Sequence, residues 1–194
     1  MIKILLIFAD DGYYDKTMKT KHLIILILIV TSLASCSVMQ KIERNHKFTE
    51  KQLNKLYHKN GNAFGLNSCY ATFSRVWTYC EGKIEIYGLY NGKIQWKETY
   101  KDNGIMQYAD TSLSYRLLSD DLYRQCPMAL DGDDLHIMTV IDGKELDDRY
   151  PLNIKCLKQG RYESGFLNKI ANDIVKYKIW EVKSVSSDTS DGNK

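Results

Sequence analysis

Residues 83 to 100 read Lys83-Ile84-Glu85-Ile86-Tyr87-Gly88-Leu89-Tyr90-Asn91-Gly92-Lys93-Ile94-Gln95-Trp96-Lys97-Glu98-Thr99-Tyr100. Two apolar-rich runs flank an Asn-Gly pair, and in the second run Ile94, Trp96 and Tyr100 alternate with Gln95, Lys97 and Thr99. A side-chain period of two gives an extended strand one apolar face, and Asn-Gly fills the two positive-φ positions of a tight hairpin turn. The stretch predicts a β-hairpin.

The same signal recurs on both sides. Glu81-Gly82, Asn91-Gly92, Asn103-Gly104, Asp131-Gly132 and Asp142-Gly143 fall at intervals of 10, 12, 28 and 11 residues, the spacing of an antiparallel meander with one inserted segment. Ile84 to Leu89 and Leu135 to Ile141 are dense enough in apolar residues for central strands. Leu152, Ile154 and Cys156 alternate with Asn153 and Lys155 as a further strand, and Ile174 to Val182 reads as a closing one. The insertion between Leu113 and Gln125 suits a short helix or an ordered loop, and Phe166, Leu167 and Ile170 have helical spacing. The expected fold is mainly β: an antiparallel meander forming a small barrel or curved sheet, with a short N-terminal helix and one or two minor helices.

The N-terminal helix is placed by its start signals. Thr49 as cap, Gln52 three residues on and Phe48 facing Leu53 make a capping box with a hydrophobic staple, and Asn60-Gly61 stops the helix after Lys59. Residues 48–183 are expected to form one β-rich domain, a size that buries a core unaided, and the polar 184–194 stretch reads as a disordered tail.

Upstream, Lys19 and Lys21 precede an unbroken apolar run, Leu23 to Val30, and Leu33-Ala34-Ser35-Cys36 follows. Basic residues, a short apolar stretch and small residues at a cut describe an export signal. A membrane span needs about 20 apolar residues, whereas this run breaks at Thr31 and Ser32. The tetrapeptide resembles the lipobox of bacterial lipoproteins, and the resemblance covers the signal only. It implies that residues 18–35 are removed, that the Cys36 thiol carries a diacylglyceryl group, and that 36–47 is a tether between lipid and domain. Met18 is the expected initiator, with 1–17 an upstream extension. Under the family's sorting rule, Ser37 rather than aspartate points to the outer membrane.

Charge and motifs exclude much. The first 35 residues hold four lysines and three aspartates, leaving 23 basic and 21 acidic side chains downstream. That balance gives no field suited to nucleic acid. HExxH, GxSxG, P-loop, GxGxxG and CxxC patterns are absent, so no enzyme and no cofactor is expected. His136, in Leu135-His136-Ile137-Met138, reads as a partly exposed strand residue. An EF-hand loop opening at Asp131 needs Gly at its sixth position and Glu at its twelfth, but these are His136 and Asp142. No metal site is expected.

Four cysteines remain besides Cys36, and an exported chain matures where disulfides form. If 69–80 is one strand, Cys69 and Cys80 stand roughly 35 Å apart, beyond the reach of a bridge. Cys69 with Cys156 and Cys80 with Cys126 is the preferred pairing; buried free thiols are the alternative.

Aromatics are in surplus on the expected strands, and Trp77, Tyr87, Trp96 and Trp180 are the candidates for a ligand pocket, against ordinary sheet packing. Element order resembles small lipocalin-like envelope lipoproteins, which implies a barrel or curved sheet around an apolar pocket. Tyr79-Cys80-Glu81-Gly82 resembles a stretch of the lysozyme-inhibitor lipoproteins. The expected role is a membrane-anchored, non-catalytic binding module for a small apolar ligand or an envelope component. The alternative is a periplasmic protein-protein inhibitor or immunity lipoprotein.

Overall fold

The computed structural model describes the backbone of residues 16–68, 71–109 and 115–181, and side chains within those spans from 37 onward, except 115–116 and 130–131. Residues 1–15, the 184–194 tail and the side chains of Cys36 and Cys69 lie outside the described residues. The chain divides into two compact units, Met1–Gln40 and Lys41–Lys194. Helix α1 is Lys16–Asn60, and its residues from Lys41 on belong to the second unit. Among the described residues no helix is long and apolar enough to cross a membrane.

Among the described residues, six antiparallel strands form one sheet: β1 (Asn62–Ser68), β2 (Phe73–Cys80), β3 (Lys83–Tyr90), β4 (Lys93–Lys101), β5 (Met128–Ile141) and β6 (Lys144–Leu152). Their spatial order is β4-β3-β2-β1-β5-β6. The first four run as a meander. The chain then passes through a 3-10 turn, η1 (Met106–Tyr108), and helix α2 (Tyr115–Gln125) before returning beside β1. The sheet is open, so the curved-sheet form of the expectation holds and the closed barrel does not. Lys93, Lys97 and Lys101 on edge strand β4 oppose pairing with another chain.

Turn chemistry accounts for the hairpins. Glu81, Asn91 and Asp142 have φ of 48°, 50° and 51°, each followed by a glycine at 70° to 74°, as a two-residue turn matching the strand twist demands. Asp131-Gly132 is not such a turn. It lies inside β5, where the register to β6 shifts between Met128 and Asp133. A Cβ on Gly132 would stand 2.3 Å from the Leu152 carbonyl, so the glycine serves a bulge.

Four further expectations are corrected. The helix does not start at Thr49: α1 is already helical there, and the Thr49 hydroxyl donates back to the Asn45 carbonyl at 2.8 Å. With Ile42 and Asn45 buried, the later part of the expected 36–47 tether is packed helix. The strand through Leu152, Ile154 and Cys156 ends at Leu152, because the Asn153 side chain accepts from the Lys155 amide and caps helix α3 (Ile154–Gln159). The closing strand from Ile174 is instead the end of helix α4 (Gly165–Lys176), capped by Ser164, and Phe166, Leu167, Ile170 and Ile174 form its buried stripe. A helical period already established upstream outweighed a short apolar alternation.

The sheet is covered on both faces. One carries Phe64, Trp77, Ile86, Leu135, Ile137 and Tyr150 against Leu118 and Leu122 of α2, Leu157 of α3 and the α4 stripe. The other carries Ala63, Val76, Leu89 and Met138 against Leu53 and Leu56 of α1.

Candidate ligand cleft

Strand alternation puts Phe73, Arg75, Trp77 and Tyr79 of β2 on one face, with Leu66 of β1 beside Arg75 and Leu135 of β5 beside Leu66. Toward the Phe73 end a cleft of about 160 Å³ opens, lined by Leu66, Ser68, Phe73, Arg75, Asp133, Ile154 and Trp180 among others.

Arg75 is its unusual member. The residue is only 4% exposed, and no carboxylate among the described residues lies within ion-pair distance of it. Nη1 donates to the Ser74 carbonyl at 2.8 Å and Nη2 to the Glu181 carbonyl at 2.9 Å, while Nε is buried with no partner. The guanidinium packs over the Phe73 and Trp96 rings, 5.5 and 5.1 Å from their centroids. Burial draws its pKa below the usual arginine range, a shift that an adjacent anion would reverse. Asp133 also lines the cleft. Burial raises its carboxyl above the ordinary range, against bonds from the Ser68 side chain and the Ile154 amide that favour ionisation.

Of the four aromatic candidates, the structure brings two to this place. Trp180 lines the cleft, 42% exposed, with the Lys158 ammonium 3.4 Å from its ring centroid. Trp96 covers Arg75 from behind. Trp77 is fully buried and stacks on Phe64 with centroids 5.6 Å apart, so it is core. Tyr87 faces α1 on the other side of the sheet, its hydroxyl donating to Glu85 at 2.6 Å.

The cysteines differ from the preferred pairing. Cys126, just past α2, and Cys156 on α3 are placed as a disulfide pair with Cα atoms 5.5 Å apart, and Cys80 is free. Both Cys69–Cys156 and Cys80–Cys126 are thereby replaced. Cys156 sits on a helix rather than a strand face, which turns it toward α2. The bridge fixes the helix that supplies Ile154 to the cleft.

Two other polar clusters pair largely among themselves, although in the second the buried Nδ1 of His136 has no hydrogen-bond partner. Lys169 bonds both carboxylate oxygens of Asp102 at 2.9 and 2.8 Å and also Asp173, which accepts from Tyr79 at 2.5 Å; Tyr177 donates to Asp102 at 2.7 Å. Burial opposes ionisation of Asp102, but the bonds from Lys169 and Tyr177 outweigh it and hold this carboxyl below its usual range, whereas burial prevails at Asp173 and raises it. A solvent-open hollow of about 320 Å³ adjoins this network. His136 is 5% exposed rather than partly exposed, contacting Asp147 at 2.6 Å and Glu50 of α1 at 3.7 Å. Among the described residues no three His, Cys, Asp or Glu side chains are grouped to hold a metal ion.

Sequence reading missed Arg75. Its signal was available: a cation in register with Phe73, Trp77 and Tyr79 must point inward. No protein-family model, curated protein or solved structure matches the chain.

Proposed function

We propose that the chain is a lipid-anchored lipoprotein of the bacterial envelope, held at Cys36 and facing outer-membrane sorting through Ser37, whose folded body is a non-catalytic binding module for a small ligand. The observation that carries the binding reading is the Arg75 cleft: a buried guanidinium with no carboxylate partner among the described residues, beside apolar walls. Ligand sites combine such walls with a few placed polar groups. The anchor reading rests on Leu33-Ala34-Ser35-Cys36 behind the Leu23–Val30 run.

Labelled palmitate and native mass spectrometry test the two halves separately. The wild-type chain is expected to take the label and the Cys36→Ser variant to lose it; equal labelling removes the anchor. Protein extracted from envelopes in detergent is expected to retain a small molecule, lost when Trp180 is replaced by alanine.

A second reading, an inhibitor or immunity lipoprotein, is favoured by a different observation. The sheet is open, its core is filled, and Tyr90 and Ile94 are each 46% exposed on or beside edge strand β4, an apolar surface that partner side chains can cover. Co-purification of a stoichiometric protein released by an Ile94→Lys change would favour it.

A further inference from the structure

We infer that the Arg75 cleft receives a monoanionic carboxylate carried on a short apolar or aromatic body. This rests on the small-ligand reading proposed above and adds the chemical class. A guanidinium offers five N–H donors in one plane, and only two of those of Arg75 are engaged, both by neutral carbonyls. Carbonyls satisfy hydrogen bonds without cancelling charge, and a buried cation without a counter-ion is costly. Phe73 and Trp96 hold the plane of the fork. A planar, fixed fork matches a carboxylate, whose two oxygens accept side by side.

Size and opposing charge narrow the class. A void of about 150 Å³ holds one benzene ring, so a cleft of about 160 Å³ walled by Leu66, Phe73, Ile154 and Trp180 accommodates a ring or a short chain. Asp133 lies on β5, two strand spacings from β2 and two residues along from Leu135, the residue level with Arg75, a backbone separation of roughly 12 Å. Its carboxylate repels a second negative charge, which disfavours dicarboxylates and phosphate esters.

The full chain in detergent is titrated with phenylacetate, phenylacetamide and phenylmalonate, read by tryptophan fluorescence. Phenylacetate is expected to bind about tenfold or more tightly than the amide, the difference that charge-assisted hydrogen bonds supply, and phenylmalonate more weakly than phenylacetate. Arg75→Gln should abolish the preference for acid over amide. Because Arg75 also ties down the Glu181 carbonyl, a second variant leaves it in place: Asp133→Asn is expected to bring phenylmalonate up toward phenylacetate. Trp180→Ala should weaken acid and amide together. Equal binding of acid and amide overturns the carboxylate assignment while leaving a small-ligand cleft standing. Failure of both to bind, in wild type and variants alike, overturns the small-ligand reading itself.

Discussion

The Trp96 indole lies flat across Gly88 of the neighbouring strand, so close that a Cβ on Gly88 would stand 2.2 Å from the ring. Gly88 is the register partner of both Trp96 and Arg75. The missing side chain on β3 is what lets a ring from β4 reach over to the guanidinium on β2. Glycine inside a strand marks such close approaches.

Gly88→Ala should therefore displace the ring and destabilise the fold by about 1–3 kcal/mol, the usual cost of overpacking, read as a lower urea midpoint. In a Trp96→Ala background the same substitution should be close to neutral. An equal cost in both backgrounds would show that the ring is not what Gly88 accommodates.

The disulfide pair predicts a mapping result and a stability change. Non-reducing peptide mapping should recover Cys126 joined to Cys156 and Cys80 as a thiol. The bridge closes a sequence separation of 30 residues, so the Cys126→Ser, Cys156→Ser double variant should lose about 2–4 kcal/mol. Recovery of a Cys80–Cys126 peptide instead would displace α3 from the cleft wall.

Much of the sheet was legible because hairpin turns are local. Glu81-Gly82, Asn91-Gly92 and Asp142-Gly143 each specify positive φ by residue type, and the strands between them need only alternate. Legibility stopped where two periods compete over a short run. Leu152, Ile154 and Cys156 alternate, yet Asn153 between them is a cap, and a single side-chain bond to Lys155 settles the helix. Pairing of Cys126 with Cys156 was hidden for the same reason, since a misread strand points the sulfur the wrong way. At the cleft, the inward direction of Arg75 followed from β2 alternation. Its lack of a carboxylate partner among the described residues did not, because that depends on which side chains of β1, β5, α3 and the Trp180 segment the fold collects around it.

Lys169 holds two carboxylates that are nearly inaccessible, Asp102 and Asp173, each with a side chain 3% exposed. Lys169→Met leaves both without their cation and should cost about 3–5 kcal/mol, as breaking a buried ion pair does. In the wild-type chain Asp102, held low, stabilises the fold above its unfolded pKa, and this is lost as pH falls through its folded value; the raised Asp173 acts in the opposite sense. Without Lys169 both carboxylates resist ionising. The deficit of the variant should thus shrink as pH approaches 4, by urea midpoints, and a deficit that is flat with pH would refute the role of Lys169 as counter-ion.

His136 couples α1 to the sheet in a pH-dependent way. Burial opposes its charge, but the nearby Glu50 carboxylate, 3.7 Å away, and the bond with Asp147 outweigh that and raise its pKa above the ordinary value. At Glu50 burial likewise opposes ionisation, and the adjacent His136 ring together with the Arg149 guanidinium at 2.8 Å overcomes it and lowers the carboxyl. A raised histidine contributes stability that is fully present below its unfolded pKa, about 6.5, and is lost as pH rises through the folded value. A lowered glutamate contributes above its unfolded pKa and loses this as pH falls through the folded one. The two overlap between roughly pH 5 and 6.5, where the attachment of α1 should be firmest. His136→Gln should show its largest deficit in that window and a shrinking one above it, measured as amide exchange over residues 41–60 and as urea midpoints. A deficit constant from pH 5 to 9 would mean that His136 contributes shape alone, with its charge absent from the contact between Glu50 and Asp147.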